Sequence, residues 1–436
     1  MNQATIKRII LLFVLITFSI FLRTPATQAA IDGITGTTFN FVAQSGFINT
    51  PDGNTILMWG YANGNGPMQY PGPTLILNEG ATITITLTNL LTVPVSIVFP
   101  GQGKVIAVGG TQGLLAQEAA PLGGTVQYTF TASNPGTYTY YSGTDPDLQV
   151  EMGLVGAIIV RPKLGPNFAY NHFNTDFKRE YLFLLSEMDV NIHDQVALGQ
   201  AALVDTTTRF PVVWFINGRA APDTMAEPFV SWLPSQPYNC MPRYHPGEKV
   251  LIRFIGAGSD GHPLHTHGNH HRVIARDGQM LESAPGAGPD LGELAFTSTI
   301  YPGSTADAIF GPWTGDGLGW DVYGHAPGDP LASTECVYNG IQNPNDPRCD
   351  HGKPIPVALP DIKDLTPGMF WSGSPFLGTL GPLPPGQVTM NTTGALSFMW
   401  HSHNEKEITT NNIFPGGMLT MSFVEPLNVI IEPSNP

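Results

Sequence analysis

Five of the chain's twelve histidines fall within ten residues, HPLHTHGNHH, from His262 to His271. Another pair, His401 and His403, stands in FMWHSHNEKE. His265 and His267 are two apart, and so are His401 and His403. On a β-strand, residues two apart face the same side, so each pair can aim two imidazoles at one point. Neutral imidazole is a borderline ligand that suits copper and zinc. One such pair is a weak signal. Two pairs on comparable strands are a stronger one, and a fold that joins the strands brings four imidazoles together. The alternative is that these are surface or core histidines. His270 and His271 read as neighbours of the site or as surface residues. Glu405 and Glu407 read as exposed loop carboxylates, or as acceptors that orient an imidazole. Met418 reads as a core side chain, and His325 as a residue among aromatics near the site. No nucleophile elbow, phosphate loop or paired-carboxylate motif stands out.

The elements that must carry these residues read as strands. ATITITLTN alternates strictly after an NEG turn, and TVQYTFTASNPGTYTYYS reads as two strands around a Pro-Gly turn. GLVGAIIVRP reads as a buried strand closing a first unit. EYLFLLSEMD opens a second. There GEKVLIRFIGAG echoes NEGATITITLTNL, HPLHTHG falls where SIVFPG stands, and TGALSFMWHSH matches NPGTYTYYSG. This layout is a divergent internal duplication. The expected fold is all-β, with two Greek-key β-sandwich domains over 31–165 and 180–427, joined by a linker at 166–179. A Gly/Pro-rich stretch of about residues 281–390 is too long for one loop and reads as an insertion in the second domain.

Composition agrees. Charged residues are only 12% of the 436, against 49 Gly and 40 Pro, which excludes a coiled coil, and 42% hydrophobic residues exclude a disordered chain. Residues 1–30 read as a secretory signal peptide: Lys7 and Arg8, then an apolar run from Ile9 to Leu22, then small residues ending at Ala30. Its removal takes away three positive charges, moving the net charge from −15 to −18. Such a chain does not seek nucleic acid or an anionic membrane surface. The expected location is periplasmic or extracellular, where disulfides form. Cys336 and Cys349 bracket a Pro/Asn-rich loop and are expected to pair, worth roughly 3 kcal/mol in the chain-entropy model. Cys240 is then expected to be free and buried.

HPLHTHG resembles the H-P-x-H-x-H-G motif of the multicopper oxidases, the laccase-like cupredoxin enzymes, and WHSH resembles their H-C-H motif. PGPTLILNEGATITITLTN, FINGRAAPDT and HPGEKVLIRFIGAG resemble further family segments, so the likeness covers most of the chain after residue 30. The resemblance implies two cupredoxin-like domains and copper as the cofactor, with zinc second. It implies that His265, His267, His401 and His403 belong to the family's trinuclear cluster, and His262 to its mononuclear type 1 centre. It also implies losses. The first-domain ligands align with Val98, Pro100, Tyr141 and Gly143. The type 1 cysteine aligns with Ser402, and a further type 1 histidine with Glu407. The expected protein therefore binds copper, one ion before two, through His265, His267, His401 and His403, with His262 less firmly implied. It is not a typical laccase. As an enzyme it would be a copper oxidoreductase meeting a small molecule or a dioxygen-like oxidant. The alternatives are a non-catalytic copper-handling protein and a structural pseudoenzyme. A homotrimer is one assembly the resemblance allows, the long insertion could block it, and the oligomeric state stays open.

Overall fold

The computed structural model describes residues 31–245, 247–268, 270–311, 396–425 and 430–431. The expected signal peptide, the Cys336–Cys349 pair, His325 and most of the expected insertion lie outside the described residues.

The first sandwich sets a five-stranded sheet against a four-stranded one. Strand Thr82–Asn89 lies third in the larger sheet, parallel to Thr38–Asn49 and antiparallel to Gly124–Thr131. Its alternation sends Ile83, Ile85 and Leu87 into the core and leaves its threonines outside. Across the ladder these three meet Phe130, Tyr128 and Val126, all buried. The strands of TVQYTFTASNPGTYTYYS do not pair with each other. Gly124–Thr131 stays in the larger sheet, while Gly136–Tyr141 crosses to the smaller one beside Val155–Arg161. Gly136 makes the crossing at φ 139°, where its Cα approaches Tyr170 and Gly278 too closely for a side chain.

The second sandwich repeats the plan. Val250–Gly256 lies parallel to Arg179–Met188 and antiparallel to Thr305–Phe310, as Thr82–Asn89 lies between its neighbours in the first. Leu396–Ser402 pairs antiparallel with Leu419–Val424, as Gly136–Tyr141 pairs with Val155–Arg161. The duplication read from the sequence is therefore present strand by strand. The expected insertion begins too early, however. Thr297–Ile300 and Thr305–Phe310 are integral strands of this sandwich. Their short runs, broken by a Pro-Gly turn, hid them in a Gly/Pro-rich stretch.

The two sandwiches share an apolar seam, in which Ile48, Met58 and Ile159 pack in one cluster with Leu184, Phe215 and Ile255. A buried polar seam runs beside it. Glu180 pairs with Arg161 and Arg253, and Arg253 also reaches Thr137 in the first sandwich. The segment expected as a linker is itself packed, with Ala169, Tyr170 and Phe177 buried against Leu251, Ile274 and Ile309.

Candidate metal centre

Strand His262–Thr266 runs between Leu396–Ser402 and Thr297–Ile300 in a five-stranded sheet. It alternates, so His262, Leu264 and Thr266 point into the core while His265 lies on the half-buried face. The register sets His265 directly opposite His401, and Leu264 opposite Ser402. His267 and His403 continue the two strands past the end of the ladder in opposite directions. The His403 N–H donates to the Pro263 carbonyl at 2.8 Å, and the Trp400 indole N–H donates to the His267 carbonyl at 3.1 Å. Trp400 is fully buried against Phe183 and Phe310, so His267 is tied to the core from below.

The expected four imidazoles are brought together. Ring centroids of His265 lie 4.6 Å from His267, 5.8 Å from His401 and 4.4 Å from His403. His401 lies 5.3 Å from His267 and 4.9 Å from His403. In three of the rings the Nδ1 atom is already engaged: by Thr297 Oγ1 in His265 at 2.7 Å, by the Ser402 carbonyl in His401 at 2.7 Å, and by Glu405 Oε1 in His403 at 3.3 Å. Metal-ligating histidines use this arrangement, one nitrogen held by a neighbour and the other left for the ion. Burial, and then the neighbouring histidines, lower the pKa of His265 and of His267 to about 4. Burial also lowers that of His401. These three rings, His265, His267 and His401, are therefore neutral at ordinary pH, as ligation requires. His403 keeps 45% of its side chain exposed, so the cluster is open to solvent on one side.

The donor set suits copper in type and in polarity. The Nε2 atoms of His267 and His401 stand 3.2 Å apart. Two ligands each about 2.0 Å from a single ion at a tetrahedral angle are separated by roughly that distance. The cage is not closed: among the described residues no three His, Cys, Asp or Glu side chains already stand in a metal-holding arrangement. The His265 ring packs edge to face on the other three, and the His267 and His401 tips meet. Two imidazoles are thus poised, and His265 and His403 stand beside them.

His262 is elsewhere. Its ring is wholly buried on the core side, between two carboxylates. Nε2 lies 2.8 Å from Glu187 Oε2, and Nδ1 lies 3.0 Å from Glu407 Oε2 in an ion-pair contact off the hydrogen-bond line. Glu187 also accepts from the backbone N–H groups of Ser259 and Asp260 and pairs with Arg209 at 2.8 Å. Burial alone would lower the His262 pKa, but the facing carboxylates of Glu187 and Glu407 raise it to about 9. Both nitrogens are committed to carboxylates, so His262 stands as an imidazolium and not with the other four. Glu407, expected on an exposed loop, is buried. His271, expected as a neighbour of the site or a surface residue, is buried. Its nitrogens face Thr266 and Ser298 at 2.9 and 2.8 Å. Nothing local marked either residue as buried, because one partner of each, His262 for Glu407 and Ser298 for His271, is distant in sequence.

A family model described as multicopper oxidase matches residues 49–165. Copper resistance protein A of Escherichia coli is 36% identical over 124 residues, which is 28% of this chain and 19% of that protein. The match thus spans about a fifth of that relative's length. The chain thus resembles the multicopper oxidases, with the family model matched over residues 49–165. The fold agrees over nearly its whole length. The multicopper oxidase mgLAC superposes with a TM-score of 0.55 at 18% identity, covering 90% of this chain and 87% of that one. The blue copper oxidase of Nitrosomonas europaea gives 0.54 at 18%, covering 88% and 85%. Both show the cupredoxin-like architecture.

As a multicopper oxidase relative, the chain is read most sharply through its duplication. Val98 and Tyr141 form an isolated antiparallel bridge in the first sandwich, the counterpart of His265 and His401 in the second. These are the positions where the family resemblance implied lost ligands. The backbone pairing is kept, and the imidazoles are replaced by an aliphatic and a phenolic side chain. Copper is the ion of the family.

Proposed function

We infer that the chain is an exported, copper-binding member of the multicopper oxidase family that holds copper at His265, His267, His401 and His403. The observation that carries this is the pairing of the His267 and His401 tips at 3.2 Å, within a cluster where the Nδ1 atoms of His265, His401 and His403 are anchored. Copper there would supply one-electron redox chemistry. The protein's share is to keep His265, His267 and His401 neutral, to orient the His265, His401 and His403 rings through Thr297, the Ser402 carbonyl and Glu405, and to leave the His403 side open to a small ligand.

It is not a working laccase. The positions that the resemblance assigns to the electron-accepting copper are filled by a carboxylate–imidazolium pair, Glu407 and His262. The first sandwich offers Val98 and Tyr141 where ligands are needed. The open face favours a copper oxidoreductase acting on a small molecule over a purely structural role. The test is metal content with electron paramagnetic resonance after copper loading. About one copper per chain, with an ordinary type 2 signal and no intense blue colour, is the expected result. His267→Ala and His401→Ala should each weaken binding about tenfold or more. Full copper occupancy in both variants overturns the assignment.

A further inference from the structure

The turn that carries the exposed end of the site is held from the core. Residues His403 to Lys406 are all exposed, while Glu407, immediately after them, is 1% exposed. Its carboxylate divides its two oxygens. Oε2 faces the His262 ring, and Oε1 accepts the Asn404 side-chain N–H at 2.9 Å. The Glu407 backbone closes the same turn, its N–H donating to the Asn404 carbonyl at 2.8 Å and its carbonyl accepting from Met418. Asn404 in turn donates its backbone N–H to the Ser402 hydroxyl. Ser402 lies between His401 and His403. Further holds on the turn are the His403 N–H on the Pro263 carbonyl and Lys406, 3.8 Å over the Phe210 ring.

The far end of this chain of contacts is fixed. His262 is bound by Glu187, and Glu187 belongs to strand Arg179–Met188 of the facing seven-stranded sheet. Arg209 and the Ser259 and Asp260 N–H groups complete its contacts. A rigid line therefore runs from one sheet, through a buried imidazolium, to the turn between His403 and the Glu405 that touches its ring.

We propose that Glu407 is a positioning residue for the copper site, which through Asn404 fixes the turn bearing His403. This rests on the reading of the four histidines as copper ligands. A carboxylate in the core is costly to keep without partners. Here it has one partner below that balances its charge and one above that orders an otherwise exposed segment. Ordering that segment before the ion arrives removes a cost that binding would otherwise meet.

The experiment compares full-length wild type with Asn404→Ala, Glu407→Gln and Glu407→Ala. Copper affinity is measured by competition titration, the paramagnetic resonance spectrum on loaded protein, and the melting temperature on metal-free protein. Asn404→Ala and Glu407→Ala should each weaken copper binding about tenfold and alter the spectrum. Glu407→Gln keeps an oxygen for Asn404, so it should keep the wild-type spectrum while its melting temperature falls with the lost charge. Asn404 lies on the surface, so its variant carries the test even where Glu407→Ala does not fold. Wild-type affinity and spectrum in Asn404→Ala and Glu407→Ala overturn the proposal, and so does equal loss in Glu407→Gln and Glu407→Ala. If His267→Ala and His401→Ala also leave copper bound, or the wild type binds none, the four-histidine reading falls with it.

Discussion

His265 and His401 are direct partners across antiparallel strands, and Val98 and Tyr141 hold the corresponding bridge in the first sandwich. One backbone arrangement thus occurs twice with different side chains. Directly opposed residues of such a pair have Cβ atoms about 5 Å apart, within reach of one ion for imidazoles. The double variant Val98→His, Tyr141→His is expected to bind about one extra copper per chain. Either single variant should add none. Metal analysis after dialysis against a weak chelator reads the difference, and no added copper in the double variant counts against equivalence of the two sites.

The buried imidazolium makes stability depend on pH. The His262 pKa is raised from 6.5 to about 9 by Glu187 and Glu407, against burial. A raised pKa means that the folded state binds the proton more tightly than the unfolded one. The stabilisation is whole below pH about 6.5 and is lost as pH rises through about 9. It is on the order of 3 kcal/mol. Urea unfolding of metal-free protein between pH 6 and 10 should show wild type losing its advantage over His262→Gln. A constant difference across that range would mean that His262 is held neutral.

The Glu407–His262 pair should also decide whether a blue copper site can be restored. Such a site needs a cysteine thiolate with two histidines. Ser402→Cys alone leaves Glu407 facing the His262 ring. No strong blue absorption is expected from it after copper loading. Ser402→Cys with Glu407→His supplies the missing ligands and frees the His262 Nδ1, so the colour should appear. Blue colour in the single variant would show that the carboxylate does not block the position.

Gly258 is required by the same network. It sits at φ 137°, and a Cβ there would strike the Glu187 carboxylate. Gly258→Ala should cost at least about 2 kcal/mol, from backbone strain and displacement of Glu187. Denaturant titration measures it, and a loss below about 0.5 kcal/mol would contradict so close an approach.

Cys240 is buried and free, and its thiol lies 3.4 Å from the Leu182 carbonyl. Burial pushes its pKa well up. Only the thiolate reacts with alkylating agents, so native protein should resist iodoacetamide at this residue while urea-unfolded protein is modified. Mass spectrometry of the Cys240 peptide distinguishes the two, and rapid native labelling would place the thiol at the surface.

Strands with one buried face were legible in the sequence because their side-chain period of two is local. Thr82–Asn89 and His262–Thr266 could be drawn from the order and spacing of their residues. So could the shared face within each histidine pair, His265 with His267 and His401 with His403. The short strands Thr297–Ile300 and Thr305–Phe310 were not legible, since a strand of four to six residues in a Gly/Pro-rich stretch carries too few periods to stand out.

What the sequence determined by itself was which ligand types exist and which of them share a strand face. It also determined which family positions are empty, because Ser402, Glu407, Val98 and Tyr141 can be read directly against the motifs. Only the tertiary structure decided that His265 meets His401 in register, that the His267 and His401 tips touch, and that His262 turns inward to two carboxylates. Glu187 and Glu407 are 220 residues apart, and no local pattern in the chain couples them. Their meeting across His262 depends on the packing of one sheet on another, a long-range consequence of hydrophobic burial in which two buried carboxylates are kept only where a cation is placed between them.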